Sequence, residues 1–423
     1  MLGQGHGVTD SARPSPAPLP QRVPALDALR GLAVIGIVPM NVLVFAMPGQ
    51  AYINPRAWTG FGEGPPTLDI AVWALVFLLI EDKFRNLFAM MFGAGVAILR
   101  ARPQARPIAG HYARMAVLFA IGFAHATLLA GNDILRLYAL AGLLLPLFLR
   151  LQPRSLLLIA AALVAAQLLV AGYYTWGWLD YWWRWRSGTE PFGELMRAEW
   201  AFGAEPDALS FELERGRESL AERLDRRLGN PLGPLQTALA GLPSTLAAML
   251  AGVALWRSGL LAGEWPRARL LRLARLTILA ALPVLALLAA SAIASDFSAV
   301  VTAANALVWS APFDLVLAIG WAALAIALFA AKASHPLVRR LTAVGRMALT
   351  NYLATSLVFA SIFASWGLGL FGEAGRLGTL ATCAIPVGMM LLWSPWWLAR
   401  FRQGPAEWLW RSVAAARWLP LRR

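Results

Sequence analysis

Several stretches of this chain place ionisable or strongly hydrogen-bonding side chains inside otherwise apolar runs, where each polar group needs a partner or water. In GFAHATLLAGNDIL, His125 is the histidine that falls within an apolar segment; His6, His111 and His335 lie in a tail or at loop edges. Asp133 follows eight residues later, at the exit of the same segment. A neutral imidazole beside a carboxylate can take a proton from a hydroxyl or amine, and the carboxylate then stabilises the imidazolium. The same two residues also suit an interhelical hydrogen bond or a proton relay in a transporter.

Other candidates read the same way. In PALDALRGL, Asp27 and Arg30 stand three residues apart and share a helical face. They fit an ion pair that anchors a helix end, or, through the guanidinium fork, a clamp for a phosphate-bearing cytoplasmic ligand. Pro39 and Asn41 interrupt the middle of that helix, a break that lines a cavity or serves as packing glue. Lys83 and Arg85 adjoin Glu81 and Asp82 in IEDKFRNLFAMMFGAG, so these charges either neutralise one another or face water, while Gly93 and Gly95 permit close helix packing. GRMALTNYL brings Arg346 to a segment boundary with Thr350, Asn351 and Tyr352 just beyond, which fits a ligand site or an interhelical polar contact. The candidate catalytic pair is thus His125 with Asp133, and the candidate substrate contacts are Asp27, Arg30, Asn41, Lys83, Arg346, Asn351 and Tyr352. No metal-ligand spacing, nucleotide-binding glycine loop or Gly-x-Ser-x-Gly elbow occurs, and the single cysteine, Cys383, builds neither an intramolecular disulfide nor a thiolate metal site.

The elements that must hold these residues are membrane helices. The 423 residues are 59% hydrophobic and 14% charged, with mean hydropathy +0.59, too apolar for a water-soluble globular domain. The net charge of +14 would suit nucleic acid in a soluble chain. Here the arginines sit in short runs between apolar segments, where they orient helices, and a nucleic-acid partner is not expected.

Apolar segments of helical length run through residues 26–47, 68–99, 113–130, 134–149, 155–176, 234–256, 270–293, 306–331, 347–364 and 377–399. Alternate connections carry the basic residues: Arg13 and Arg22, then Arg100, Arg102 and Arg106, Arg150 and Arg154, Arg257 to Arg272, Lys332 to Arg340, and the C-terminal arginines. The positive-inside rule then predicts an all-α polytopic integral membrane protein with about ten transmembrane helices and both ends cytoplasmic. Two crossings within residues 68–99 would put Arg100, Arg102 and Arg106 outside, so that stretch is read as one crossing preceded by a tilted or interfacial piece near Asp69–Ile80. The expected domains are a disordered Pro-rich tail over residues 1–24, one transmembrane domain over 25–412, and a basic cytoplasmic tail over 413–423. The tail has no apolar signal-peptide core. The external loop 177–233 opens with an aromatic girdle around Trp176, Trp178, Trp182, Trp183 and Trp185, and the spacing of Leu209 to Leu228 predicts one amphipathic surface helix.

PALDALRGLAVIGI, KFRNLFAMMFGAG, GFAHATLLAGNDIL, GRMALTNYL and FRQGPAEWLWR together resemble the YeiB-like family, catalogued as domain of unknown function 418, over residues 24–412. The LDALRG motif is also similar to that of the transmembrane acyltransferase superfamily, which includes sugar O-acetylases and the lysosomal heparan glucosaminide N-acetyltransferase. That resemblance implies transfer of an acyl group from a cytoplasmic donor of the acyl-CoA type to an acceptor reached from the other side, with no permanently bound cofactor. It places Arg30 and Arg346 at the donor phosphates and His125 with Asp133 at the acceptor. Where those relatives carry a histidine deep in or just after the first helix, this chain has Met40 and Asn41 and none over residues 48–67, so the role falls to His125. The expected location is a bacterial-type inner membrane, with lipids and a small-molecule substrate as partners; a transporter or flippase for a small anionic or amphipathic solute is the competing reading, and a non-catalytic membrane scaffold a third.

Overall fold

A computed structural model describes residues 24–60, 66–101, 108–230 and 233–423; the tail 1–23, with His6, Arg13 and Arg22, and the loop arginines Arg102 and Arg106 lie outside the described residues. The described residues form helices and turns with no strand. In chain order the helices are α1 (Pro24–Ala46), α2 (Pro66–Leu79), α3 (Lys83–Arg100), α4 (Ile108–Leu128), α5 (Leu135–Phe148), α6 (Pro153–Arg186), α7 (Met196–Phe202), α8 (Pro206–Gly216), α9 (Leu220–Gly229), α10 (Gly233–Ala240) and α11 (Leu242–Arg257). They continue with α12 (Arg267–Ala294), α13 (Ala299–Ala304), α14 (Ala311–Ala331), α15 (Pro336–Arg346), α16 (Ala348–Phe363), α17 (Arg376–Ala381), α18 (Ala384–Arg400) and α19 (Pro405–Val413). Five stretches are long and apolar enough to cross a membrane: α1, α6, α12, α14 and Arg376–Arg400. Leu169 on α6 and Leu287 on α12 are 74% and 70% exposed, a pattern that suits lipid and not water.

Close backbone approaches set the interior. A Cβ on Gly31 would stand 2.1 Å from the Leu341 carbonyl oxygen, and one on Gly345 would stand 1.9 Å from that of Asp27, so α1 and α15 meet at a pair of glycines. Gly93 of α3 and Gly252 of α11 do the same against Met249 and Met90, the packing role expected of the FGAG run. The middle of α11 is wholly buried, from Thr245 to Leu255, so this short helix is a core element enclosed by α3, α5 and α6.

Several boundaries differ from the hydropathy reading. Residues 68–99 hold two helices, broken at Ile80–Asp82, with Asp82 in the left-handed region (φ 54°). The aromatic girdle belongs to α6, which runs on to Arg186. The single amphipathic helix expected over Asp207–Leu228 is two helices: Ser219 accepts from the Glu222 amide while Glu222 accepts from the Ser219 amide, a capping box that restarts the chain at α9. Hydropathy also passed over α15 and α19, whose charged faces hide their periodicity. A π-helical turn at Asn305–Trp309 precedes α14, with Asn305 donating to the Leu288 carbonyl and the Ser291 hydroxyl. The basic tail folds back, where the Arg402 amide donates to the Leu421 carbonyl (2.9 Å) and Trp408 stacks on Trp418.

Candidate functional site

The helices α1, α3, α4 and α5 line two cavities set end to end. The larger, of about 650 Å³, takes Gly36, Ile37, Met40 and Asn41 from the later part of α1, Phe84 and Arg85 from the start of α3, Phe123, Ala126 and Thr127 from the end of α4, and Ile134, Arg136 and Leu137 around the start of α5. The smaller, of about 200 Å³, takes Arg30, Phe88, Met91, Phe92, His111, Met115 and Leu118 from the opposite reaches of α1, α3 and α4 and Leu135 and Tyr138 from another face of the start of α5, with Arg346, Tyr352, Glu407 and Trp410. Helices α8 and α9 contribute Arg215, Arg226 and Arg227 to the larger cavity and to an adjoining space of about 470 Å³.

His125 and Asp133 are buried; Asp133 lines the larger cavity, and His125 lines neither. His125 Nδ1 lies 2.8 Å from Asp133 Oδ1, while the second carboxylate oxygen accepts from the Arg136 amide at 2.9 Å. Arg136 Nε is 3.6 Å from the same oxygen, and Arg136 Nη2 donates to the Gly131 carbonyl at 3.0 Å. A charge-bearing carboxylate on Nδ1 fixes the neutral tautomer with its proton there and leaves Nε2 as the basic nitrogen. Among the described residues, Nε2 is buried with no hydrogen-bond partner. The room for this arrangement comes from Gly122, where a Cβ would stand 2.7 Å from Asp133 Oδ2. Tyr352 closes the other side, its ring 5.1 Å from the imidazole and its hydroxyl accepting from the Ile134 amide at 3.3 Å.

Arg30 pairs with Asp27 at 3.0 Å and, with Arg346, borders the smaller cavity; Asn41 borders the larger. Asp27, Lys83 and Asn351 border neither cavity. Lys83 is fully buried against Asp314 (2.7 Å), donates to the Phe77 carbonyl and lines neither cavity. Asn351 is also fully buried; its amide nitrogen donates to Ser394 Oγ and the Val344 carbonyl, both at 3.1 Å, and its oxygen accepts from Trp393 Nε1 at 3.0 Å. In an apolar surround an amide must satisfy both ends, and Asn351 spends them joining α16 to α18.

Sequence reasoning passed over Glu407, Arg136, Asp314 and Arg227. Glu407 of α19 accepts from the Leu349 and Thr350 amides (2.7 and 3.2 Å) and from the Thr350 hydroxyl (2.5 Å), so the GPAEW tail caps the start of α16. Burial holds its carboxyl above the ordinary range, and these donors offset that only in part. Arg136, three residues beyond Asp133, and Asp314, alone in an apolar run, carry a signal a stricter reading of intramembrane charges finds. Arg227 has none, because its role depends on α9 folding over α4. Its Nη1 donates to the Ala126 and Thr127 carbonyls at 2.6 and 3.1 Å. Burial, then the nearby Arg223 and Arg226, lower its pKa to about 10, which keeps it cationic at neutral pH. Glu218 has burial acting against its charge, but Arg226 and Arg223 hold its carboxyl below the ordinary value.

Fold and site define an all-helical protein of membrane type with a buried histidine–carboxylate pair whose carboxylate borders the larger cavity. Residues 255–417 match the family model described as "Protein of unknown function (DUF418)". The chain is 33% identical to "Uncharacterized protein YeiB" of Escherichia coli (strain K12), over 93% of this chain and 96% of that protein. It is 28% identical to "Uncharacterized protein YxaH" of Bacillus subtilis (strain 168), over 95% of this chain and 96% of that one. The chain therefore belongs to the YeiB-like DUF418 family. No solved structure matches it.

Proposed function

We propose that this protein is an acyltransferase-like membrane enzyme, passing an acyl group from a thioester donor at the smaller cavity to an acceptor in the larger one. The observation that carries the reading is the His125–Asp133 pair, whose carboxylate borders the larger cavity and whose imidazole lies against Tyr352 of the smaller one. The smaller cavity suits the donor: an apolar floor of Phe88, Phe92 and Met115 for the acyl arm, and Arg30 and Arg346 at its rim for phosphates. In the reaction His125 Nε2 takes the proton of the acceptor hydroxyl or amine as its oxygen or nitrogen bonds to the thioester carbonyl carbon. The carbon–sulfur bond then breaks, and the thiolate recovers that proton from the imidazolium, which Asp133 stabilises meanwhile. About ten crossings of a bacterial-type inner membrane, with both ends cytoplasmic, fit this assignment, because the loop arginines then put Arg30 and Arg346 on the donor side and Asp133 on the other.

The test is binding of an acyl thioester. Purified protein titrated with acetyl-CoA is expected to bind it saturably, with an Arg30→Gln/Arg346→Gln variant at least about tenfold weaker, since each charge-assisted bond contributes roughly 1.5–3 kcal/mol. Absence of binding, or of thermal protection by the thioester, rejects the reading.

A further inference from the structure

Charge in the larger cavity is unevenly compensated. Arg85 is paired with Asp82 at 2.7 Å, Arg215 with Glu212 at 2.9 Å, and Arg226 and Arg223 share Glu218 at 2.5 and 3.1 Å. Arg227 differs: among the described residues no carboxylate lies within 4.0 Å of it, and both of its hydrogen bonds run from Nη1 to the carbonyls that end α4. Such carbonyls offset only a fraction of a unit charge. Its Nη2 lies 3.8 Å from where a Cβ on Gly131 would stand, which sets the guanidinium over the α4–α5 loop, two residues from Asp133. One side of the adjoining space it also borders is apolar, from Leu43, Phe45, Leu129, Phe363 and Phe371, while the paired Glu212, Glu218 and their arginines line the other. An under-compensated guanidinium that shares a space with an apolar wall selects a ligand with an anionic head and an apolar body.

We propose that the larger cavity and its apolar annex bind an anionic amphiphile bearing a phosphate, its headgroup held by Arg227 with Arg226 and its apolar part lying in the annex. The proposal rests on the acyl-transfer reading only for the ligand's role as acceptor; the site stands on charge and shape alone.

The experiment uses the full chain in nanodiscs of zwitterionic lipid, titrated in parallel with dihexanoyl phosphatidic acid, with neutral dihexanoylglycerol and with inorganic phosphate. Phosphatidic acid is expected to bind saturably and at least about tenfold more tightly than the neutral lipid, and Arg227→Gln to weaken it by about tenfold or more, the scale of one lost charge-assisted contact. Arg226→Gln, expected to weaken it less because Glu218 already engages that side chain, supplies the test should Arg227→Gln fail to fold. Competition by inorganic phosphate would assign the site to a water-soluble phosphate head, and its failure to compete to a lipid one. Equal binding of the charged and neutral lipids, or unchanged binding in both arginine variants, overturns the proposal. Saturable phosphatidic acid binding by the native chain while acetyl-CoA fails to bind separates this inference from the reading above it.

Discussion

Two buried acid–base pairs lie in the same bundle and differ in what surrounds them. Lys83 and Asp314 are 0% and 1% exposed, and the ammonium is held also by the Phe77 carbonyl and the face of the Phe77 ring. His125 and Asp133 are buried nearly as deeply, yet their carboxylate takes a backbone amide and their imidazole keeps a basic nitrogen in hand. Lys83 and Asp314 line neither cavity, whereas Asp133 lines the larger one, with His125 bonded to it from the buried side. Burial and charge alone do not mark a candidate site, since His125 Nε2 and, apart from its ion pair with Lys83, Asp314 Oδ1 are both buried without a hydrogen-bond partner among the described residues; what separates the pairs is that Asp133 borders space for a ligand.

Substitutions at the two pairs should therefore fail in different ways. Asp133→Asn preserves the shape of its pair, so acyl transfer should fall by about 10²–10⁴-fold while the melting temperature moves little, as separate turnover and unfolding assays would show. Lys83→Met should do the reverse. It strands a buried carboxylate at a cost of about 3–5 kcal/mol, seen as reduced melting temperature and yield, and Lys83→Met/Asp314→Leu should recover most of that loss. Were the double variant no better than the single, the view of Lys83–Asp314 as a self-contained structural pair would fail.

Glu407→Gln tests whether the smaller cavity's rim is built by the tail. Loss of the charged acceptor on the first turn of α16 should lower stability by about 1.5–3 kcal/mol and speed amide exchange at Leu349 and Thr350. The smallest effect expected is acid sensitivity at α9. Glu218 is depressed in the fold, so its contribution is present above the ordinary carboxylate pKa of about 4.3 and is lost as pH falls through the lower folded value. Amide exchange in α9 should accelerate on acidification below pH about 4, and Glu218→Gln should show the faster rate already at neutral pH.

How much of this was legible beforehand follows from the range of each interaction. Apolar length announces α1, α12 and α14, and the His125–Asp133 spacing announces a pair, because both are local. The piece expected near Asp69–Ile80 does end before α3, because the charges from Glu81 mark the break, whereas the break at 217–219 depends on capping, which hydropathy averages away. Asn351 read as a ligand contact because its polarity was visible while its partners, Ser394 and Trp393, were some forty residues away in sequence. Arg227 stayed hidden for the same reason, since its partners on α4 are about one hundred residues upstream.

The most direct test of the reactive pair is single-turnover transfer from labelled acetyl-CoA by protein reconstituted in bacterial lipid, comparing the native chain with His125→Gln after both have been shown to melt alike. The account predicts label moved to an acceptor by the native protein and a loss of at least about 10²-fold in the variant, with donor affinity retained. Equal transfer by the two proteins would contradict it.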